Sequence, residues 1–105
     1  MSSTFVIRHD SLEYLPVRVT GFRAGEVYNP TTDTVKVALP VTDIEPVTDD
    51  WNDATWETVD DDYFARLLVG PGGAVTLVAG DYDILVKVGA TPEIPVLRAG
   101  LLRVT

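Results

Sequence analysis

The sequence predicts an all-β fold, an immunoglobulin-like (Ig-like) antiparallel β-sandwich of about seven to eight short strands, and three observations carry that expectation. Turn signals recur roughly every 8–14 residues, with no helical period between them. The run Tyr82–Val88 alternates cleanly: Tyr82, Ile84, Val86 and Val88 fall on one face, and Asp83, Leu85 and Lys87, with Asp81 of the preceding turn, on the other. That period of two marks a strand with one face on a core. Tyr82 itself follows the turn Ala79-Gly80-Asp81. In Ig-like sandwiches a Tyr near the start of the penultimate strand sends its hydroxyl back to the backbone of the preceding corner, which makes Tyr82 a fold-defining residue.

The elements follow in order. Ser3–Arg8 is a short β-like run, broken at His9-Asp10-Ser11. Glu13–Val19 is a second run with Pro16 inside it. Proline cannot donate to a ladder, so this is an edge strand or two pieces meeting at a bulge. Thr20–Asp33 reads mostly as loop, punctuated by Gly21, Gly25 and Asn29-Pro30. Thr34–Leu39 alternates, with Val35, Val37 and Leu39 inward and Lys36 and Ala38 outward. Val41–Asp53 is an acidic connection without regular period, long enough to carry function or wrap an edge. Ala54–Val59 and Tyr63–Val69 form a hairpin across Asp60-Asp61-Asp62, and Gly70-Pro71-Gly72-Gly73 is a turn. Ala74–Val78 is a strand-like run before Tyr82. Val96–Val104 is the last strand, with Gly100 marking a bulge or a close approach.

At 105 residues and 46% apolar content, the chain is one domain, residues 1–105, with enough apolar side chains for a real core. Cysteine is absent, so disulfides and thiolate metal sites are excluded. No signal peptide is read at the N-terminus, and no apolar run reaches membrane-spanning length. The net charge of −8 repels phosphate backbones and anionic lipid, so neither nucleic acid nor membrane is expected as a partner.

The strongest compositional feature is acidic. No Lys or Arg lies between Lys36 and Arg66, whereas Asp43, Glu45, Asp49, Asp50, Asp53, Glu57, Asp60, Asp61 and Asp62 do. A calcium site is one reading, although the spacing is not that of an EF-hand loop. A docking face for a basic partner is a second, and a solvated, solubilising rim is the third. Trp51 and Trp56 invite a sugar-stacking reading. Five apart on one strand, they would face opposite ways; Trp56 is expected as the buried Trp of the sandwich and Trp51 as a partly exposed interface anchor. His9-Asp10-Ser11 has the letters of a catalytic triad, but adjacent residues on a short loop cannot form its relay. The Gly70–Gly73 turn reads as a hairpin turn, since it lacks the Lys-Ser/Thr and helix of a phosphate cradle. Leu85, Leu101 and Leu68 are assigned to outer strand faces, with Leu85 and Leu101 close enough to form a patch. The candidate interaction residues are therefore Asp49, Asp50, Trp51, Asp60, Asp61, Asp62, Leu85 and Leu101. No catalytic, cofactor-binding or metal-ligating residue is assigned.

Several blocks together carry a resemblance over most of the chain. They are Leu12-Glu13-Tyr14, Asn29-Pro30-Thr31-Thr32-Asp33-Thr34-Val35, Trp51-x4-Trp56-Glu57 and Tyr63-Phe64-Ala65-Arg66-x-Leu68-Val69-Gly70-Pro71-x-Gly73. The most specific is Gly80-x-Tyr82-x-x-x-Val86-Lys87-Val88 followed by Pro92-Glu93-Ile94-Pro95-Val96. The chain resembles a group of small Ig-like virion structural proteins encoded among the head and tail morphogenesis genes of actinobacterial tailed phages and prophages. The resemblance implies a non-enzymatic virion role without cofactors: capsid decoration or a head–tail accessory function, assembled in the bacterial host cytoplasm. The implied partners are other virion proteins, major capsid or connector and tail proteins, in many symmetric copies. A tail or baseplate module is the alternative, and a host-surface carbohydrate-binding module is the alternative of another class.

Overall fold

The computed structural model describes residues 3–19, 22–23, 26–27, 34–42, 44, 50–60, 62–89 and 96–105. Its strands are β1 (Ser3–Ile7), β2 (Glu13–Val19), β3 (Phe22–Arg23), β4 (Glu26–Val27), β5 (Thr34–Ala38), β6 (Trp51–Asp53), β7 (Thr55–Val59), β8 (Asp62–Val69), β9 (Gly80–Gly89) and β10 (Val96–Val104). A five-stranded sheet runs β1-β10-β9-β5-β6 and a three-stranded sheet runs β2-β8-β7. All pairings in these two sheets are antiparallel except β1 with β10. In Ig terms β10-β9-β5-β6 take the G-F-C-C′ positions and β2-β8-β7 the B-E-D positions. The β3–β4 pair is a separate two-stranded ladder inside the stretch expected to be mostly loop.

The core is what the alternation demanded. Tyr82, Ile84, Val86 and Val88 of β9 are all buried, against Leu15, Val17 and Val19 of β2 and Leu67 and Val69 of β8. Ile84 stands two residues after the corner tyrosine, where disulfide-bonded Ig domains carry their second cysteine. Apolar packing takes over that position here, and Ile84 is fully buried. Pro16 sits on an edge strand, since among the described residues β2 pairs only with β8, and β1 and β2 lie in different sheets. The β10 register shifts between Arg98 and Gly100, leaving Ala99 as the extra residue of the expected bulge.

The strand expected at Ala74–Val78 is absent. Its side chains keep the period of two, with Val75 and Leu77 partly buried and Ala74, Thr76 and Val78 exposed. It makes one isolated parallel bridge, Val69 with Val75. This segment carries the chain from the smaller sheet to the larger, and among the described residues only the end of β8 lies beside its start. Tyr82 fixes its end: the phenol Oη donates to the Val78 carbonyl at 2.8 Å. Gly70–Gly73 is accordingly a turn leading into a crossover, not a hairpin turn. Tyr82→Phe is expected to cost about 1 kcal/mol through loss of this bond, read as a lower urea midpoint with unchanged m.

Candidate interaction face

The outer surface of the five-stranded sheet is ordered by register into cross-strand rows. One row runs Trp51, Ala38, Leu85, Arg98 across β6, β5, β9 and β10. The next runs Asp53, Lys36, Lys87, Val96. On the other side Asp83 pairs with Leu101, and Asp81 with Arg103. Leu101 is thus one diagonal step from Leu85, within reach of long side chains at roughly 7–8 Å. Trp51, Leu85 and Leu101 are each partly buried, and Ala38 is fully buried in its place between Trp51 and Leu85. The expectation that Ala38 points out to solvent is corrected: it is on the outer face, but its register neighbours on both sides are large and it is small.

Charged side chains frame this apolar strip. Arg98 reaches diagonally to Asp83 at 2.9 Å, and Arg103 Nε donates to Asp81 at 3.0 Å. Lys36 and Lys87 lie directly opposite each other, an arrangement that destabilises a sheet unless relieved. Each turns elsewhere: Lys36 Nζ is 3.4 Å from Asp53, and Lys87 Nζ stands 4.3 Å from the Trp51 ring centroid. An apolar centre with a polar, ion-paired margin is the anatomy of a protein interface.

The expectation that Trp51 lies in the irregular Val41–Asp53 connection is corrected. Trp51 opens β6, the edge strand of the larger sheet, where Asn52 donates its side-chain amide to the Val37 carbonyl at 3.4 Å. Trp56 is also corrected. It lies on edge strand β7, opposite buried Ala65, and is only partly buried, packed against the rim of the core. The two rings belong to different sheets and make no common platform. Leu68 lies on the smaller sheet, paired with Tyr14, away from Leu85 and Leu101.

The acidic block divides. Asp50 precedes β6, while Asp60 and Asp62 lie at the β7–β8 turn, beyond the far end of β7. Its described carboxylates recruit cations from outside the block: Asp62 pairs with Arg18 at 2.9 Å and Glu57 with Arg66 at 2.8 Å. Asp43, Glu45, Asp49 and Asp61 lie outside the described residues. Among the described residues no three acidic or histidine side chains gather as metal ligands.

The triad letters are engaged separately. Arg8 donates to both Asp10 oxygens, at 2.9 and 3.0 Å, and holds that carboxyl below the usual carboxylate range. His9 Nδ1 instead lies 2.9 Å from the Thr105 carbonyl oxygen. Sequence reasoning missed the roles of Lys87, Arg98 and Arg103. Opposite charges on the last two strands are visible in the sequence, but the Ala99 bulge shifts the phase that would pair them. No protein-family model, curated protein or solved structure matches the chain.

Proposed function

We propose that this protein is a non-enzymatic structural component of a tailed-phage virion, a capsid decoration or head–tail accessory protein. It docks on other virion proteins through the outer face of the five-stranded sheet. The observation that carries the docking surface is the row Trp51–Ala38–Leu85, with Leu101 one diagonal step away and ion pairs on its margin. The resemblance of the Tyr82 and Pro92–Val96 blocks to phage virion proteins supports the setting. Symmetric presentation in many copies turns a weak contact per copy into strong attachment. A tail or baseplate module would use the same face and differs in its position on the particle. The sugar-binding alternative loses its main support, because Trp51 and Trp56 lie in different sheets and Lys87 already stands over the Trp51 ring.

Mass spectrometry of purified particles tests the proposal. The protein is expected at a fixed ratio to the major capsid protein. Leu85→Glu is expected to fold with stability changed by no more than about 1 kcal/mol and to be lost from particles. Absence of the wild-type protein from particles overturns the virion reading. Undiminished incorporation of Leu85→Glu overturns the docking face.

A further inference from the structure

Among the described residues the two main sheets end in four edge strands, β1 and β6 on the larger and β2 and β7 on the smaller. An edge presents unpaired backbone groups that template another chain, and proteins blunt it with prolines, charges or shortness. Three of these edges are blunted. Pro16 interrupts β2, Glu57 stands in the middle of β7, and β6 is three residues long and ends on Asp53. β1 reads Ser-Thr-Phe-Val-Ile, with neither proline nor charge. Its backbone groups divide between two sides. The Ile7 carbonyl accepts from Thr105 N–H, and the Thr105 carbonyl from His9 N–H, both at 2.9 Å. The N–H and C=O of one strand residue point the same way, and successive residues alternate. Phe5 and Ile7 therefore turn theirs toward β10. Thr4 and Val6 turn theirs to the open edge, where among the described residues no strand pairs with them. The open edge ends at Arg8, whose carbonyl accepts from Ser11 N–H at 3.1 Å.

We propose that a second copy of this chain pairs with β1, the two β1 strands running antiparallel about a two-fold axis at Phe5. In this register Thr4 of each copy lies opposite Val6 of the other. Such pairs exchange both hydrogen bonds of an antiparallel ladder, so every open N–H and C=O of Thr4 and Val6 is used. Phe5 meets its own counterpart in the non-hydrogen-bonded position between them, where Cα atoms stand about 4.5 Å apart and side chains are closest. It points to the inner side, because its register partner is fully buried Leu102, and within one copy it is only partly buried. The second ring completes its cover. On the outer side Val6, 62% exposed, comes to lie against a threonine. Self-complementarity selects the occupant: an isologous contact sets one patch against itself, and this one sets ring on ring and β-branched on β-branched side chains, with no charge facing its like. The nearest charges, Arg8 with Asp10 and Arg103 with Asp81, are already ion pairs. The net charge of −8 on each copy opposes approach at range, a repulsion that decays over ~8 Å at physiological salt. Two short strands make a contact below the ~1,200 Å² of standard interfaces, so the dimer forms at high concentration. Thr4 lies beside Leu101, and Val6 beside Arg103. The dimer therefore joins the outer faces of two five-stranded sheets into one surface, and attachment through that face becomes bivalent. The pairing itself does not rest on the virion reading.

Sedimentation velocity of the full chain from ~10 µM to ~1 mM tests the proposal. The mass is expected to rise from 11.4 kDa toward twice that value. Amide hydrogen exchange reads the register. The Thr4 and Val6 amides are expected to slow as concentration rises, while Phe5 and Ile7, already turned to β10, are protected throughout. Val6→Pro removes only an edge donor, at a position where a strand tolerates proline, and is expected to fold and stay monomeric. The double variant T4K/V6K, at two exposed positions, places like charges opposite each other on both sides of the axis. It is expected to weaken dimerisation at least about tenfold. T4E/V6K places opposite charges there and is expected to restore it. Should Val6→Pro fail to fold, the two double variants decide. A chain that stays monomeric throughout, a dimer whose Thr4 and Val6 amides exchange as fast as in the monomer, or equal dimerisation by T4K/V6K and T4E/V6K overturns the proposal. Absence of the protein from particles would leave this result untouched.

Discussion

Ile84→Ala is expected to destabilise the protein by about 2–5 kcal/mol, in the upper part of that range. Ile84 is fully buried between Tyr82 and Val86 on the inner face of β9. Its register partner on β10 is Gly100, which has no side chain to move into the space. The neighbours on its own strand are held as well, Tyr82 by its bond to the Val78 carbonyl. A site that cannot collapse keeps its cavity, and the cost of a cavity rises with its residual volume. Domains of this kind are stable by only about 5–15 kcal/mol, so the variant should lose a large fraction of its margin. Urea denaturation followed by tryptophan fluorescence measures it, with Ile84→Val, at about 0.5–1.5 kcal/mol, as the graded control.

Gly70→Ala is expected to cost about 2–5 kcal/mol, from backbone strain and overpacking together. Gly70 closes β8 at φ 131°, and a Cβ there would collide with the Ser11 carbonyl oxygen and lie 2.8 Å from the Leu12 Cα. The obstacles are backbone atoms, which cannot swing aside. Gly70 cannot withdraw either: its N–H donates to the Val75 carbonyl at 2.8 Å, and its carbonyl accepts from Gly73 N–H at 2.9 Å. Gly72 separates the two contributions. It has φ 83° but open space around it, so Gly72→Ala should cost only the conformational part, about 1–2 kcal/mol. Equal losses at the two positions would show that the contact with the Ser11 segment contributes nothing.

The parts of the fold legible in the sequence are those fixed by local chemistry. Alternation in β9 named its buried face residue by residue, Tyr82 named the corner, and Gly100 named the bulge. The expected seven to eight strands correspond to the eight described strands of the two main sheets, but with different members: Ala74–Val78 drops out and β6 comes in. Both differences have one cause. Period two reports which side chains face the core, and says nothing of whether a neighbouring strand is present. Ala74–Val78 alternates without a ladder, while β6 is only three residues long and owes its existence to β5 beside it. The candidate face was half legible. Alternation within their own strands is enough to put Leu85 and Leu101 on outer surfaces. The rows that bring Trp51 and Ala38 to Leu85, and turn Lys87 onto Trp51, depend on cross-strand register, which no single strand encodes. The ion pairing of the acidic block was not legible for a related reason. Its local excess of carboxylates is real, but Arg18, Lys36 and Arg66 reach it from adjacent strands.

Cryo-electron microscopy of purified particles tests the virion role and its docking surface together. The expected map holds an all-β module at symmetry-related sites on the shell or at the head–tail junction. In it the outer face of the five-stranded sheet is turned toward a neighbouring virion protein, and Trp51, Leu85 and Leu101 are in the contact. Particles without such a module, or a module attached with that face open to solvent, would contradict it.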